Sequence, residues 1–321
     1  VEYINKIKNN YDICIVMGTG ERIAYLADLN YISYYVGRDI DAPRFKKNSR
    51  EIWFKTPLHK LNFLERKFYH NTFKNAIGHV AGVWVYPFLE KYTKNGIKMD
   101  MYAMDDELFK NTTHELDIQK TKFTFFSPQR MGNGKGTDLL WKALKICKTD
   151  FDILQVNWFD EATDEELKIR EQLLNELPSQ IKLIPMIKRK KMPEYYSFAD
   201  AVIGNMIVGT WELVDLEGVM CGKPVLSYSD PNHKLLVKGN YIQSSFLPDS
   251  NKPEDIAKII DKVVSSKEFR DELFENERKF VSNSTDKEWV SNWWDELFET
   301  FSQKYGKIHK NSSSISIKIR M

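Results

Sequence analysis

Cysteine is scarce in this chain. Cys14, Cys147 and Cys221 are the only three, and no two stand as a C-x-x-C pair. That excludes a disulfide framework and a cysteine zinc site, and it points to reduced thiols in a cytoplasmic protein. Histidine is equally sparse. His59, His70, His79, His114, His233 and His309 form no H-x-x-x-H pair, so no metal site is expected. No apolar run is long enough to span a bilayer, and no signal-peptide pattern opens the chain. Excess charge of one sign is missing too. The 47 basic and 45 acidic residues leave a formal net charge of +2, so the whole chain is no polycation and nucleic acid is not an expected partner.

What is present describes a globular α/β protein. Hydrophobic residues make up 42% and charged residues 29% of 321 positions, enough for two domains of ordinary size. The opening "VEYINKIKNNYDICIVMG" reads as the middle of an α/β domain, so further strands are expected ahead of it. Short apolar runs at Tyr11–Gly18 and Tyr31–Gly37 flank a helically spaced segment, which makes a βαβ unit with parallel strands. Val80–Pro87 is expected as another strand, with a short helix closing at "LEKYTKNG".

The alternation restarts after a polar stretch at Asn111–Lys120. Strands are expected at Phe123–Ser127, Ile153–Val156, Ile181–Ile184, Ala201–Gly204 and Pro224–Ser227. Helices are expected at Thr137–Lys148, Asp164–Leu177 and Leu213–Cys221. The resulting plan is an incomplete first domain at 1–118, a second doubly wound domain at 119–284, and a helix with a basic tail at 285–321. Two such domains leave a cleft, the default place for a ligand.

One loop stands out: "QRMGNGKG", Gln129 to Gly136, between an apolar run and an amphipathic one. It is no Walker A loop. The first glycine of that motif is missing, and Gly136 stands where a magnesium-binding hydroxyl belongs. A glycine-rich turn opening a helix still presents free N–H groups to an anion. Arg130 and Lys135 add a planar fork and a point charge, a pairing suited to a diphosphate. The bland alternative is a solvent-exposed turn carrying two surface charges. A second segment tips the balance. In "VIGNMIVGTWELVDLEGVMCGKPVLSYSD" a strand, a small-residue loop and a helix follow one another, and Glu217 lies in that helix. A carboxylate there accepts hydrogen bonds from vicinal hydroxyls such as those of a ribose. The amides of Thr210 to Leu213, at the helix start, suit further oxyanions.

These two stretches resemble the retaining family 4 glycosyltransferases (glycosyl transferases group 1) of GT-B fold. That family carries "G-R-L-x-x-x-K-G" after the first strand of its second domain; here the run is Gln129-Arg130-Met131-Gly132-Asn133-Gly134-Lys135-Gly136. Its later motif, ending "L-V-x-L-E-A-M-A-C-G-x-P-V", matches Leu213 through Val225. The likeness covers most of Lys120 to Val281, with a fainter match around "YDICIVMGTGERIAYLADLNYISYYVGRDID".

The resemblance implies two Rossmann-like domains facing a cleft, and transfer of a sugar from a nucleotide-sugar donor with retention. It assigns Arg130, Lys135 and Glu217 to the catalytic centre. Gly134, Gly209, Thr210, Trp211, Glu212, Leu213, Val214, Ile187 and Lys188 fall to the donor, and Gly18, Thr19, Gly20, Arg38 and Asp39 to the acceptor side. It implies no metal or other cofactor. The acceptor is a glycan, a lipid-linked group or a small molecule. Two positions depart from the pattern. Gly209 stands where the first glutamate of a pair spaced eight apart belongs, and Val36 stands for a first-domain histidine. Glu212, the nearest carboxylate to Gly209, is expected inside the helix. The departures support a rival reading, a catalytically silent nucleotide-sugar- or partner-binding subunit. A GT-B epimerase or polyol-phosphate transferase is a third.

The basic, aromatic stretch at 44–74 suits an anionic inner membrane surface, or a helix with an apolar core face and solvated lysines. The stripe Trp289, Trp293, Trp294, Leu297, Phe298 and Phe301 is helically spaced and is expected to pack as core.

Overall fold

The computed structural model describes residues 10–18, 20–36, 52–53, 56–57, 62–82, 85–113, 116–159 and 164–305. The chain divides into two compact units, Val1–Met99 with Glu288–Met321, and Asp100–Lys287.

The first unit runs β1 (Cys14–Val16), α1 (Gly20–Leu26), β2 (Tyr31–Tyr35), a two-residue ladder of β3 (Ile52–Trp53) and β4 (Thr56–Pro57), α2 (Phe63–Asn75), β5 (Gly78–Ala81), α3 (Tyr86–Leu89) and β6 (Gly96–Lys98). Its main sheet is parallel in the order β1-β2-β5-β6. Tyr31, Ile32, Tyr35, Val80 and Ala81 are almost wholly buried, as parallel strands covered on both faces require. Helix α2 starts at a capping box. Asn62 Oδ1 accepts from the Glu65 amide at 2.9 Å, and Glu65 Oε2 accepts from the Asn62 amide at 2.8 Å. The strand expected over Val80–Pro87 stops at Ala81. Pro87 cannot donate to a ladder, and it sits at the start of α3, where a missing N–H costs nothing.

The second unit continues with β7 (Phe123–Ser127), α4 (Thr137–Leu144), β8 (Phe151–Val156), α5 (Asp164–Asn175), β9 (Ile181–Ile184), α6 (Met192–Phe198), β10 (Ala201–Ile203), α7 (Leu213–Met220), β11 (Val225–Leu226), a hairpin of β12 (Lys234–Val237) and β13 (Asn240–Gln243), α8 (Pro253–Ser265) and α9 (Lys267–Ser284). The sheet is all-parallel in the order β11-β10-β7-β8-β9. Phe125, Ile153, Leu140, Trp141, Leu144, Ile260 and Val263 form part of one continuous core. Within this order the chain winds outward from β7 to β9, then returns to lay β10 on the other side of β7. That reversal is the switch point at which doubly wound sheets leave a crevice beyond their strand ends.

The first boundary lies earlier than the polar stretch at 111–120 suggested. Residues 100–118 group with the second unit. Asp100 is fully buried and accepts from the Leu236 amide at 2.6 Å, Phe109 meets Tyr196 edge-on at 6.2 Å, and the Thr112 amide donates to Ser197 Oγ at 2.9 Å. At the other end, α10 (Lys287–Tyr305) joins the first unit from Glu288 on. Its aromatic stripe lies on one face, with Trp294 edge-on to Tyr34 at 5.5 Å. Phe301 packs so near Gly78 that a Cβ there would sit 2.5 Å from its ring.

Candidate functional site

Two β–α loops meet at the switch point of the second unit: residues 128–136 after β7 and 204–212 after β10. The first is pinned from below. Gln155 Nε2 donates to the Gln129 carbonyl at 2.9 Å, and the Met131 amide donates to the Trp158 carbonyl at 2.7 Å. A 3-10 turn over Asn133–Lys135 leads to Gly136, whose φ of +70° suits glycine. A Cβ on Gly136 would lie 2.9 Å from the Met206 backbone, and the Met206 amide donates to the Lys135 carbonyl at 3.0 Å. The close approach of the two loops therefore explains why glycine follows Lys135. Gly134 faces open space.

The second loop is built around Asn205, which is fully buried. Its Nδ2 donates to the Thr210 carbonyl and to Ser227 Oγ, both at 3.1 Å, and its Oδ1 accepts from the Val208 amide at 2.7 Å. Gly209 has φ +79°, and a Cβ there would meet Asp230 at 3.2 Å and Tyr228 at 3.3 Å. The backbone thus selects against the glutamate that the resemblance puts at this position. The Thr210 hydroxyl and the Trp211 indole N–H are buried without a hydrogen-bond partner. Trp211 turns inward, edge-on to Tyr102 at 5.2 Å, so only its backbone faces outward chemistry.

Glu212 corrects the sequence expectation. It is the N-cap of α7, extended at φ −122°, and lies outside the helix. Asp215, three residues on, accepts from the Glu212 amide at 2.7 Å, while the Asp215 amide donates to the Glu212 carbonyl at 3.0 Å. This pair of hydrogen bonds holds Glu212 before the first turn. Its carboxylate forms an ion pair with Lys135 Nζ and accepts from Gln129 Nε2 at 2.9 Å. Leu213 is exposed, and the Val214 carbonyl accepts from the Tyr196 hydroxyl at 3.2 Å.

A second cation–carboxylate pair lies one turn along α7. Glu217 is 2% exposed. Its Oε1 accepts from Arg189 at 2.9 Å and its Oε2 from the Tyr196 hydroxyl at 3.0 Å. Burial raises the Glu217 pKa, while Arg189 and then Tyr196 pull it back down. Burial also pushes the Tyr196 phenol well up, with the Glu217 charge acting in the same sense. Arg189 sits on a 3-10 turn, Arg189–Lys191, beyond β9 and lies over the Phe109 ring at 4.8 Å. Sequence reasoning missed it. The signal was the run Lys188-Arg189-Lys190-Lys191, a few residues beyond the end of β9. Ile187 is half-buried and Lys188 exposed at the start of that turn. Arg130 is half-buried, its guanidinium 5.8 Å from the Trp158 ring.

Beneath both pairs lies Asp215, fully buried. Besides the Glu212 amide it accepts from Ser227 Oγ at 3.0 Å, and its other oxygen has no partner. Burial, reinforced by the Glu212 charge, pushes its carboxyl up to about 8.

In the first unit, Gly18 takes φ +52° in the turn after β1, and Gly20 opens α1, its amide donating to the Met17 carbonyl at 2.9 Å. Thr19, Arg38 and Asp39 lie outside the described residues. No cluster of three or more metal-ligating side chains occurs among the described residues.

The family model for glycosyl transferases group 1 matches residues 109–280, more than half of the chain. The chain belongs to that family. No curated protein sequence matches it significantly. Among solved structures, HepE of Anabaena in complex with UDP-glucose is 16% identical with a TM-score of 0.64, covering 94% of this chain and 81% of its own. The sucrose-phosphate synthase of Thermosynechococcus elongatus gives 14% identity and a TM-score of 0.65, with 94% and 76% covered. A point mutant of S. aureus TarM, in complex with fondaparinux, α-GlcNAc-glycerol and UDP, gives 13% and 0.58, with 92% and 57% covered. At these identities the likeness establishes the fold of this glycosyltransferase, two Rossmann-like domains of GT-B type.

Proposed function

We propose that this glycosyltransferase takes its sugar from a nucleotide-sugar donor, retains the anomeric configuration, and binds the donor at the switch point of the second unit. The observation that carries this reading is the meeting of the Lys135 loop with the α7 N-terminus. The Lys135 ammonium meets the start of α7 there, a setting suited to a diphosphate.

Arg130 and Lys135 hold the diphosphate and stabilise the charge that grows on it as it leaves. The backbone of Gly209 to Val214 and the open Gly134 give the phosphates and sugar close approach. Glu217 accepts from the ribose hydroxyls, and Ile187 and Lys188 flank the base. The bond from the sugar anomeric carbon to the phosphate oxygen breaks, and the nucleoside diphosphate leaves with the electron pair. The acceptor oxygen bonds to the same face, and its proton passes to the departing phosphate. No protein nucleophile and no metal is needed. Gly18, Thr19, Gly20, Arg38 and Asp39 serve the acceptor, a glycan, a lipid-linked group or a small molecule. For stretch 44–74 we propose contact with an anionic inner membrane surface. In its described part, Phe63 and Leu64 are 76% and 71% exposed at the start of α2.

One observation favours the rival, a silent binding subunit: Gly209 lies at positive φ with close neighbours, a place that disfavours the glutamate of the family pattern. Incubation with a panel of nucleotide sugars, following nucleotide release with and without glycan acceptors, separates the two. Turnover with one donor supports the enzyme; tight binding with no release from any donor supports the silent subunit.

A further inference from the structure

We propose that Glu212 is a displaceable internal anion of the donor site: its carboxylate occupies the place of a donor phosphate, and donor binding exchanges it for phosphate on Lys135. This rests on the diphosphate reading given above.

Two donors that would serve a phosphate oxygen already converge on this carboxylate. They are the Lys135 ammonium and the Gln129 amide nitrogen. The lysine and glutamate side chains are 21% and 22% exposed, so the pair sits at the mouth of the site rather than in the core. Carboxylate and phosphate satisfy the same donors with similar geometry. They cannot share them at close range without like-charge repulsion. Two residues before Glu212, the buried Thr210 hydroxyl has no hydrogen-bond partner. Nearby, Arg189 covers Glu217 in the same manner, so the free site neutralises its own charges. The extended backbone at Glu212 lets its side chain swing out while α7 stays in place.

Isothermal titration of the whole chain with inorganic pyrophosphate, UDP, GDP and ADP tests this. Glu212→Gln keeps an acceptor for the Gln129 amide and loses the charge. It is expected to bind the anions that the native protein binds at least tenfold more tightly. Glu212→Asp retains a good helix cap but pulls the carboxylate back from Lys135, and a smaller tightening is expected. Lys135→Ala is expected to lose binding in every background. If Lys135→Ala weakens binding but both Glu212 variants bind no more tightly than the native protein, the exchange is overturned and the diphosphate site stands. If Lys135→Ala and Arg130→Ala leave affinity unchanged, the diphosphate site itself is wrong and the exchange falls with it. Absence of binding in the native protein and in both Glu212 variants also overturns the exchange.

Discussion

The two units are built alike and equipped differently. Each has a parallel sheet whose early strand runs into a glycine turn and then a helix, at Gly18–Gly20 in the first and Gly132–Gly136 in the second. Under the first turn the buried polar groups are linked mainly by hydroxyls. Glu21 accepts from Ser33 at 3.2 Å and Tyr35 at 3.4 Å, and Tyr35 meets His79 Nδ1 at 3.1 Å. At the second turn full charges oppose one another, Lys135 with Glu212 and Arg189 with Glu217, over a buried Asp215. The comparison teaches that the fold supplies a crevice and the loops supply the chemistry. Among the described residues, only the second unit brings helix N-terminus, glycine and cation to one spot.

The largest effect expected from this contrast is on binding. Lys135→Ala should weaken nucleotide binding by about a hundredfold or more, as loss of a charge-assisted contact to phosphate does. Thermal stability should fall only modestly, because the ion pair that is lost is partly open to solvent. Titration calorimetry with scanning calorimetry checks both, and the contrast breaks if Glu21→Gln in the first unit lowers nucleotide affinity equally. Next comes the loop contact. Gly136→Ala adds a Cβ 2.9 Å from the Met206 backbone at positive φ, and should cost about 1–3 kcal/mol. Gly134→Ala, facing open space, should stay within about 0.5 kcal/mol. Urea unfolding of the pair sharpens the claim that loop proximity, rather than phosphate, dictates Gly136.

Asp215 predicts a pH signature confined to the second unit. Its carboxyl is raised from an ordinary 3.8 to about 8. Below the ordinary value both folded and unfolded chains hold the proton. Between the two values only the folded chain does, so this contribution to stability falls as pH rises from about 4 to about 8 and is flat beyond. Asp215→Asn should flatten the dependence of unfolding free energy on pH across that window; an unchanged slope would show that Asp215 ionises normally. The smallest effect belongs to the first unit. Gly78→Ala meets the far end of the Phe301 ring, a side chain able to shift, and should cost about 1 kcal/mol. Pairing it with Phe301→Leu should recover part of that loss, since the collision is between those two groups.

Much of the architecture was legible because parallel strands read as apolar runs and their helices as amphipathic ones. Phe123–Ser127 and Ile181–Ile184 lie where the pattern put them. The hairpin β12–β13 was not legible, since Lys234–Gln243 mixes charge, glycine and apolar residues with little alternation. Boundary residues 100–118 were misassigned because polarity was read as a linker, while the anchoring is done by buried Asp100 and Phe109. Of the residues proposed for the site, Arg130, Lys135 and Glu217 were named from the sequence, whereas Arg189 resembled one more surface charge in a basic run.

The sequence by itself determined the family, the order of loop, strand and helix, and the types of residue in the two loops. Only the tertiary structure decided which of those charges meet. Lys135 and Glu212 are 77 positions apart and Arg189 and Glu217 are 28 apart. Each pair forms because β10 returns to lie beside β7 and α7 starts at that return. Electrostatic partners depend on distance in space, and that distance is set by strand order, which no local pattern of residues encodes.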